Sequence, residues 1–340
     1  MRDRHEVYET VFQLTASVLA IITNSVLFWL IKTKSPSSLG GYKYLMMYIS
    51  LFETFYACFH LVFLPYILSS FTGFLVLLDP IVNLPVNVLQ IFDYIFTANF
   101  GMANALFAIH FVFRYCVVSG NQTWTSTKPS IVAIWISIPI IVCILWVSAC
   151  VAFLGQNEVS GWFIAFEMLT KENIAYVGPI FDFRLDLSYN LHVYWGLALL
   201  FVVGFSCFVT MVFFGIKCRF KLHALTKDTT QSATTKSLQN RLFSVLVAQS
   251  MIPFFLVFCP IAVLSISIFW GFGHEYFGKV LTMTNAIYPV LDPLPNLLMI
   301  KPYRQALMFW NRKASAKSPK VSNASAAANR RTSFLVTDVP

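Results

Sequence analysis

Long apolar stretches alternate with short polar ones along the whole chain. Residues 7–31, 131–154 and 191–216 form three such stretches, and between them they hold a single charge, Glu9. Four more run over roughly 44–68, 91–113, 242–270 and 280–300, with scattered polar residues inside them. A helix of about 20 residues spans a hydrocarbon core of about 30 Å. Every stretch reaches that length, so the pattern predicts seven membrane-spanning helices. The first span is flanked by MRDRHEVYET and runs directly into Lys32 and Lys34, with no small-residue cleavage pattern. It is read as a retained helix and not as a signal peptide.

Composition supports that reading. Hydrophobic residues make up 57% of the 340 positions and charged residues 11%. Soluble domains carry about 25% charged residues. A chain this apolar cannot cover itself with polar groups in water, and a lipid bilayer is its implied partner.

Charge placement then gives an orientation. The segments after spans 1, 3 and 5, together with the C-terminal tail, hold 19 of the 24 Lys and Arg residues. The alternate loops hold most of the acids, including Glu158, Glu167, Glu172, Asp182 and Asp186. By the positive-inside rule the N-terminus lies outside and the tail in the cytosol. The net charge of +9 is thus a topological signal. Spread over four segments, it gives no footprint for a nucleic-acid partner. Asn121-Gln-Thr and Asn323-Ala-Ser match the glycosylation pattern, but both fall on the expected cytosolic side.

Several residues stand out against the apolar background. In span 3, Phe100 and Asn104 share one spacing and Gly101, Ala105 and Ala108 another, the latter forming a small-residue face. His110 and Arg114 lie four apart on one helix face. Arg114 stands where the helix leaves the membrane. It either snorkels to the interface or faces a cytosolic cleft in the bundle, and the second reading is preferred. Glu53 is an acid within span 2, expected to pair, to hold a proton or to meet water inside the bundle. Pro253 and Pro260 predict a bent span 6. In YPVLDP, Tyr288 and Pro289 precede Asp292 within span 7. That motif predicts a loosened turn whose acid binds neighbouring helices, with Glu53 a candidate partner.

The long outer loop, about 155–190, is rich in aromatics and acids, and its Trp162, Tyr176 and Phe181, with Phe100 of span 3, are the candidate ligand or lid contacts. Residues 301–313 fit a helix lying at the inner interface, and 314–340 fit a disordered cytosolic tail with Ser and Thr around RRTS. The seven cysteines lie in or beside the spans, so none staples the outer loop. Neither HExxH, a nucleophile elbow nor a phosphate-binding glycine loop is present, and no enzyme, cofactor or metal site is expected.

LGGYKYLM at 39–46, HFVFRY at 110–115, LFSVLVAQSMIP at 242–253, YPVLDP at 288–293 and KPYR at 301–304 occur in this order over about residues 10–310. Together they resemble the nematode seven-transmembrane chemoreceptors of the Str class, the serpentine family that includes the diacetyl-type odorant receptor. The resemblance implies an all-α, seven-helix, GPCR-like bundle that detects a small-molecule odorant and activates a heterotrimeric G protein. It further implies the plasma membrane of a sensory cilium, with an arrestin or kinase acting on the tail. Arg114 and Tyr115 look like the arginine and tyrosine that end the third helix of rhodopsin-like receptors. Phe113 stands where those receptors usually have an acid, the Asn-Pro-x-x-Tyr pattern is absent, and so is the outer-loop cysteine bridge. The coupling surface would include Lys221 and Arg241. From the residues themselves, a seven-helix ligand-gated channel or transporter is a second reading.

Overall fold

The computed structural model describes residues 4–36, 39–71, 73–81, 84–156, 161, 175–181, 187–227 and 233–308. Trp162, the acids Glu158, Glu167, Glu172, Asp182 and Asp186, and the tail beyond 308 lie outside them. The helices are α1 (Arg4–Lys34), α2 (Tyr42–Phe63), α3 (Val86–Val118), α4 (Pro129–Ala149), α5 (Leu187–Lys227), α6 (Ala233–Pro253), α7 (Cys259–Phe269), α8 (Glu275–Leu291) and α9 (Pro293–Met299), followed by α10 over 301–308. Wider π turns extend α4 through Cys150–Leu154 and join α6 to α7 through Phe254–Phe258.

Among the described residues, six helical stretches are long and apolar enough to cross a membrane. They are Val7–Lys34, Tyr42–Phe63, Val86–Val118, Pro129–Leu154, Asn190–Leu225 and Lys236–Ile268. The seventh expected span is divided at Asp292 into helices of 17 and 7 residues. Asp292 itself keeps helical dihedrals, φ −57° and ψ −41°. The division therefore interrupts hydrogen bonding without turning the chain. Pro293 and Pro295 have no N–H to give the preceding turn.

The core is apolar, as in a soluble protein, but the outward faces are apolar too. α3 is the most buried of the six and α5 the least. Ile140, Ile141, Ile144 and Leu145 of α4, and Phe201, Val202 and Phe205 of α5, point outward. Such a surface would drive aggregation in water and suits a hydrocarbon solvent. Gly101 makes room on α3 for the Trp146 ring of α4, which a Cβ there would strike. The small-residue face of span 3 is therefore a packing surface.

One end of the bundle carries structure that hydropathy does not report. Span 2, expected to reach residue 68, ends at Phe63. Leu64 adopts a left-handed φ of 43°, and its N–H caps the His60 carbonyl at 3.1 Å. The chain then forms an antiparallel hairpin, β1 (Pro65–Ser69) and β2 (Phe74–Leu78). This hairpin docks on α8, where Thr282 Oγ1 accepts from Ile67 N at 2.9 Å and Ser69 Oγ accepts from Gly278 N at 2.9 Å.

The long loop closes onto the same hairpin. Val76 and Val177 exchange backbone hydrogen bonds at 2.9 and 3.1 Å. Gly73 and Gly178 permit the close approach, since a Cβ on either would collide with the facing backbone at Pro179 or Phe74. The Gln90 side chain both donates to the Tyr176 carbonyl at 3.0 Å and accepts from its N–H at 3.2 Å. All seven cysteines are free. A backbone ladder and one glutamine thus hold the loop to the top of α3, with no disulfide. We call this the hairpin end. The opposite end, with the basic segments, is the basic end.

Candidate functional site

The prolines of the last crossing create a demand that α1 meets. Without an N–H, Pro293 leaves the Pro289 carbonyl with no helical donor. Asn24 Nδ2 on α1 donates to that carbonyl at 2.9 Å, across 265 residues of sequence. Ser50 Oγ on α2 donates to the Asn24 carbonyl at 2.8 Å, completing a three-helix knot. An unsatisfied buried carbonyl would cost about 1–3 kcal/mol, so the asparagine is a structural requirement of the broken helix.

Gln249 on α6 extends the knot. Its Nε2 donates to Asp292 Oδ2 at 2.9 Å and to the Asp292 carbonyl at 3.2 Å. The Glu53 and Asp292 carboxyl groups lie close to one another. Glu53 Oε1 and Asp292 Oδ1 have no donor. The two acids singled out in the sequence are therefore brought together, joined by Asn24 and Gln249, which sequence reasoning passed over.

The basic end holds a second cluster. Arg114 is 1% exposed, so its side chain does not snorkel to the interface. One Nη donates to the Gln239 carbonyl at 3.1 Å and to Gln239 Oε1 at 2.8 Å. The guanidinium also lies 5.0 Å from the centre of the Tyr42 ring, a cation–π arrangement. His110 braces the same tyrosine, with Nδ1 at 3.4 Å from its hydroxyl and Nε2 at 3.2 Å from the Leu45 carbonyl. Phe113, in place of an acid, stacks on Tyr42 and meets the edge of Trp135. The end of α3 is thus clasped between α2 and α6 without any ion pair.

The other predicted coupling residues are placed differently. Tyr115 turns away from this clasp and packs on Phe214 of α5 at 5.4 Å. Lys221 and Arg241 are exposed on α5 and α6. Pro253 ends α6 and Pro260 opens α7, so the bend between them is built as a π turn. Asn104 bonds within its own helix, to the Phe100 carbonyl at 2.9 Å.

Aromatic rings fill the hairpin half. Tyr56 meets Phe96 and Tyr288, each at 5.9 Å, and Phe100 meets Trp146 at 5.3 Å and Phe258 at 5.4 Å. Phe181 from the loop stacks on Tyr194 at 4.7 Å, and Tyr176 is buried beneath the hairpin. Three polar side chains among these helices carry atoms with no partner among the described residues. Both carboxyl oxygens of Asp93, both ring nitrogens of His60 and the Asn99 Nδ2 have none. Sequence reasoning missed Asp93 and His60, although an acid and a histidine within predicted spans were the available signals.

The family model "Serpentine type 7TM GPCR chemoreceptor Str" matches residues 9–308. The chain belongs to the Str family of serpentine chemoreceptors. Among its relatives is the Caenorhabditis elegans protein named G-protein coupled receptor str-217, 28% identical over 300 residues and 86% of each chain. Serpentine receptor class r-10 of the same nematode is 25% identical over 302 residues, covering 85% of this chain and 86% of its own. Squid rhodopsin has a similar fold, with a TM-score of 0.61 over 100% of this chain and 93% of the rhodopsin chain, at 12% identity. This Str-family chain is accordingly a multi-pass membrane receptor of the G-protein-coupled class and not an enzyme.

Proposed function

We propose that this Str-family receptor detects a small-molecule odorant at the plasma membrane of a sensory cilium and passes the signal to a heterotrimeric G protein. In this reading α8 and α9 together make the seventh crossing, the hairpin end lies outside and the basic end lies in the cytosol. The charge asymmetry between the two ends supports that orientation.

One observation carries the reading. Arg114 is buried at the basic end and ties α3 to α2 and α6 through neutral partners. A clasp of this kind has two arrangements, closed on Gln239 or open. An odorant that favours the open arrangement shifts the equilibrium by its differential affinity for the two states. The π turn between Pro253 and Pro260 is the natural hinge, because its hydrogen bonds are already interrupted. The opened cleft would present Arg114, Lys221 and Arg241 to the G protein, and the tail would meet an arrestin or kinase.

A ligand screen read out by nucleotide exchange on purified G protein tests the proposal. An odorant that accelerates exchange only when receptor is present is the expected result. Odorant-evoked current in cells lacking G proteins, with no exchange in the purified system, would favour a channel.

A further inference from the structure

Asp93 has the least satisfied carboxyl group in the hairpin half. It is completely buried, and neither oxygen receives a hydrogen bond. Phe96 and Phe100 follow it by one and two turns on the same face of α3. Phe92, Phe96 and Phe100 belong to the aromatic cluster between α2, α3 and the α6–α7 bend. One turn before Asp93, Gln90 pins the outer loop down through both backbone groups of Tyr176. Asp93 therefore lies one turn along α3 from the point where the loop is held.

His60 is an independent sign in the same region. It is 2% exposed, lies against the rings of Tyr56 at 4.6 Å and Phe96 at 5.4 Å, and neither ring nitrogen has a partner. Buried polar groups in folded proteins are nearly always paired, and an ionisable group at this depth points to a ligand or a pathway. Two such groups, on α2 and α3 and both near Phe96 in space or in sequence, are unpaired among the described residues.

We propose that the hairpin half binds a small organic ammonium ion, with the Asp93 carboxylate as its counter-ion. The assignment rests on the receptor reading above and names the ligand class for it. A carboxylate offers acceptor sites only, so its partner must bring N–H or O–H groups. An ammonium satisfies both oxygens and carries the opposite charge. The faces of the surrounding rings stabilise the same cation. A ketone or ester brings acceptors alone: it can take the O–H of a protonated carboxyl but leaves the other oxygen without a donor. His60 supplies a second contact, to a polar substituent on the far side of Phe96.

The test uses the full-length receptor in lipid nanodiscs. Thermal unfolding is followed against a series of small primary alkylamines and their matched alcohols and methyl ketones. At least one amine should raise the unfolding midpoint where its alcohol and ketone do not. Asp93→Asn should weaken binding of that amine by about tenfold or more. Asp93→Leu, which removes the polar group altogether, serves as a second variant should the first unfold. No stabilisation by any amine overturns the assignment, as does an Asp93→Asn receptor that binds the amine as well as the parent. Nucleotide exchange separates the two readings. Amine binding lost in Asp93→Asn, without exchange in the parent, upholds the ammonium site and sinks the coupling. Exchange driven by a neutral odorant, with no amine bound, does the reverse.

Discussion

In the basic half of the bundle, Arg114 and His110 each find a hydrogen-bond partner on another helix. In the hairpin half, His60 and Asp93 find none. The two halves share α2 and α3, and both are walled by aromatic rings. What differs is that Arg114 and His110 have partners on other helices, even with Arg114 Nε unpaired, whereas neither functional atom pair of His60 or Asp93 has one among the described residues. The basic half is closed on itself and must be opened. The hairpin half is incomplete and must be filled. A receptor needs both conditions, because ligand energy gained in one half is available to break contacts in the other only if the two are mechanically joined. The knot of Asn24, Glu53, Gln249 and Asp292 lies between them and joins α1, α2, α6 and the last crossing.

The comparison can be broken most severely at Arg114. Arg114→Ala should cut odorant-driven nucleotide exchange by about tenfold or more at equal surface density, since it removes the cation that the opened cleft presents to the G protein. Normal exchange would remove Arg114 from the coupling path. Next in size is the knot. Asn24→Ala leaves the Pro289 carbonyl buried without a donor. It should destabilise the receptor by about 1–3 kcal/mol, read as a lowered unfolding midpoint in nanodiscs. An unchanged midpoint would show that the broken helix satisfies itself.

Smaller effects sharpen the picture. Gln239→Ala loosens the clasp and should raise basal exchange by about fivefold for a bond worth about 1 kcal/mol. Gln239→Glu adds a charge opposite Arg114 and should lower it. Basal exchange moving the same way in both variants would contradict a closed clasp. The mildest test is Asp292→Asn, which keeps the shape while removing one carboxyl from the pair with Glu53. A few-fold change in odorant potency is expected, with folding retained. Signalling and folding both unaltered would show that the acid is not needed.

Much of this arrangement was legible in the amino-acid sequence, and the remainder fails for identifiable reasons. The apolar stretches were readable because a bilayer sets their length and forbids charge. YPVLDP announced the broken last crossing, because prolines act through the helix that contains them. What the freed carbonyl would find could not be read, since Asn24 lies on another helix. The burial of Arg114 followed the His110 spacing, whereas Gln239, on the far side of the bundle, carried no local mark. The hairpin at 65–78 was hidden inside an apolar run, where a strand and a helix end look alike. Its bridge to Val177 joins segments about a hundred residues apart and leaves no periodic trace. Asp93 and His60 were visible as ionisable residues within spans, but only their lack of a partner among the described residues distinguishes them from paired ones.

The central claim is that an odorant bound in the hairpin half opens the clasp at the basic end. The most direct measurement is the distance between labels at Asn121, beyond the end of α3, and Arg241 on α6, both exposed positions. It is made in a receptor whose reactive cysteines have been replaced, with and without an odorant that drives exchange. The account predicts a shift of the distance distribution to longer values with odorant. An unchanged distribution, while the same odorant drives nucleotide exchange, would contradict it.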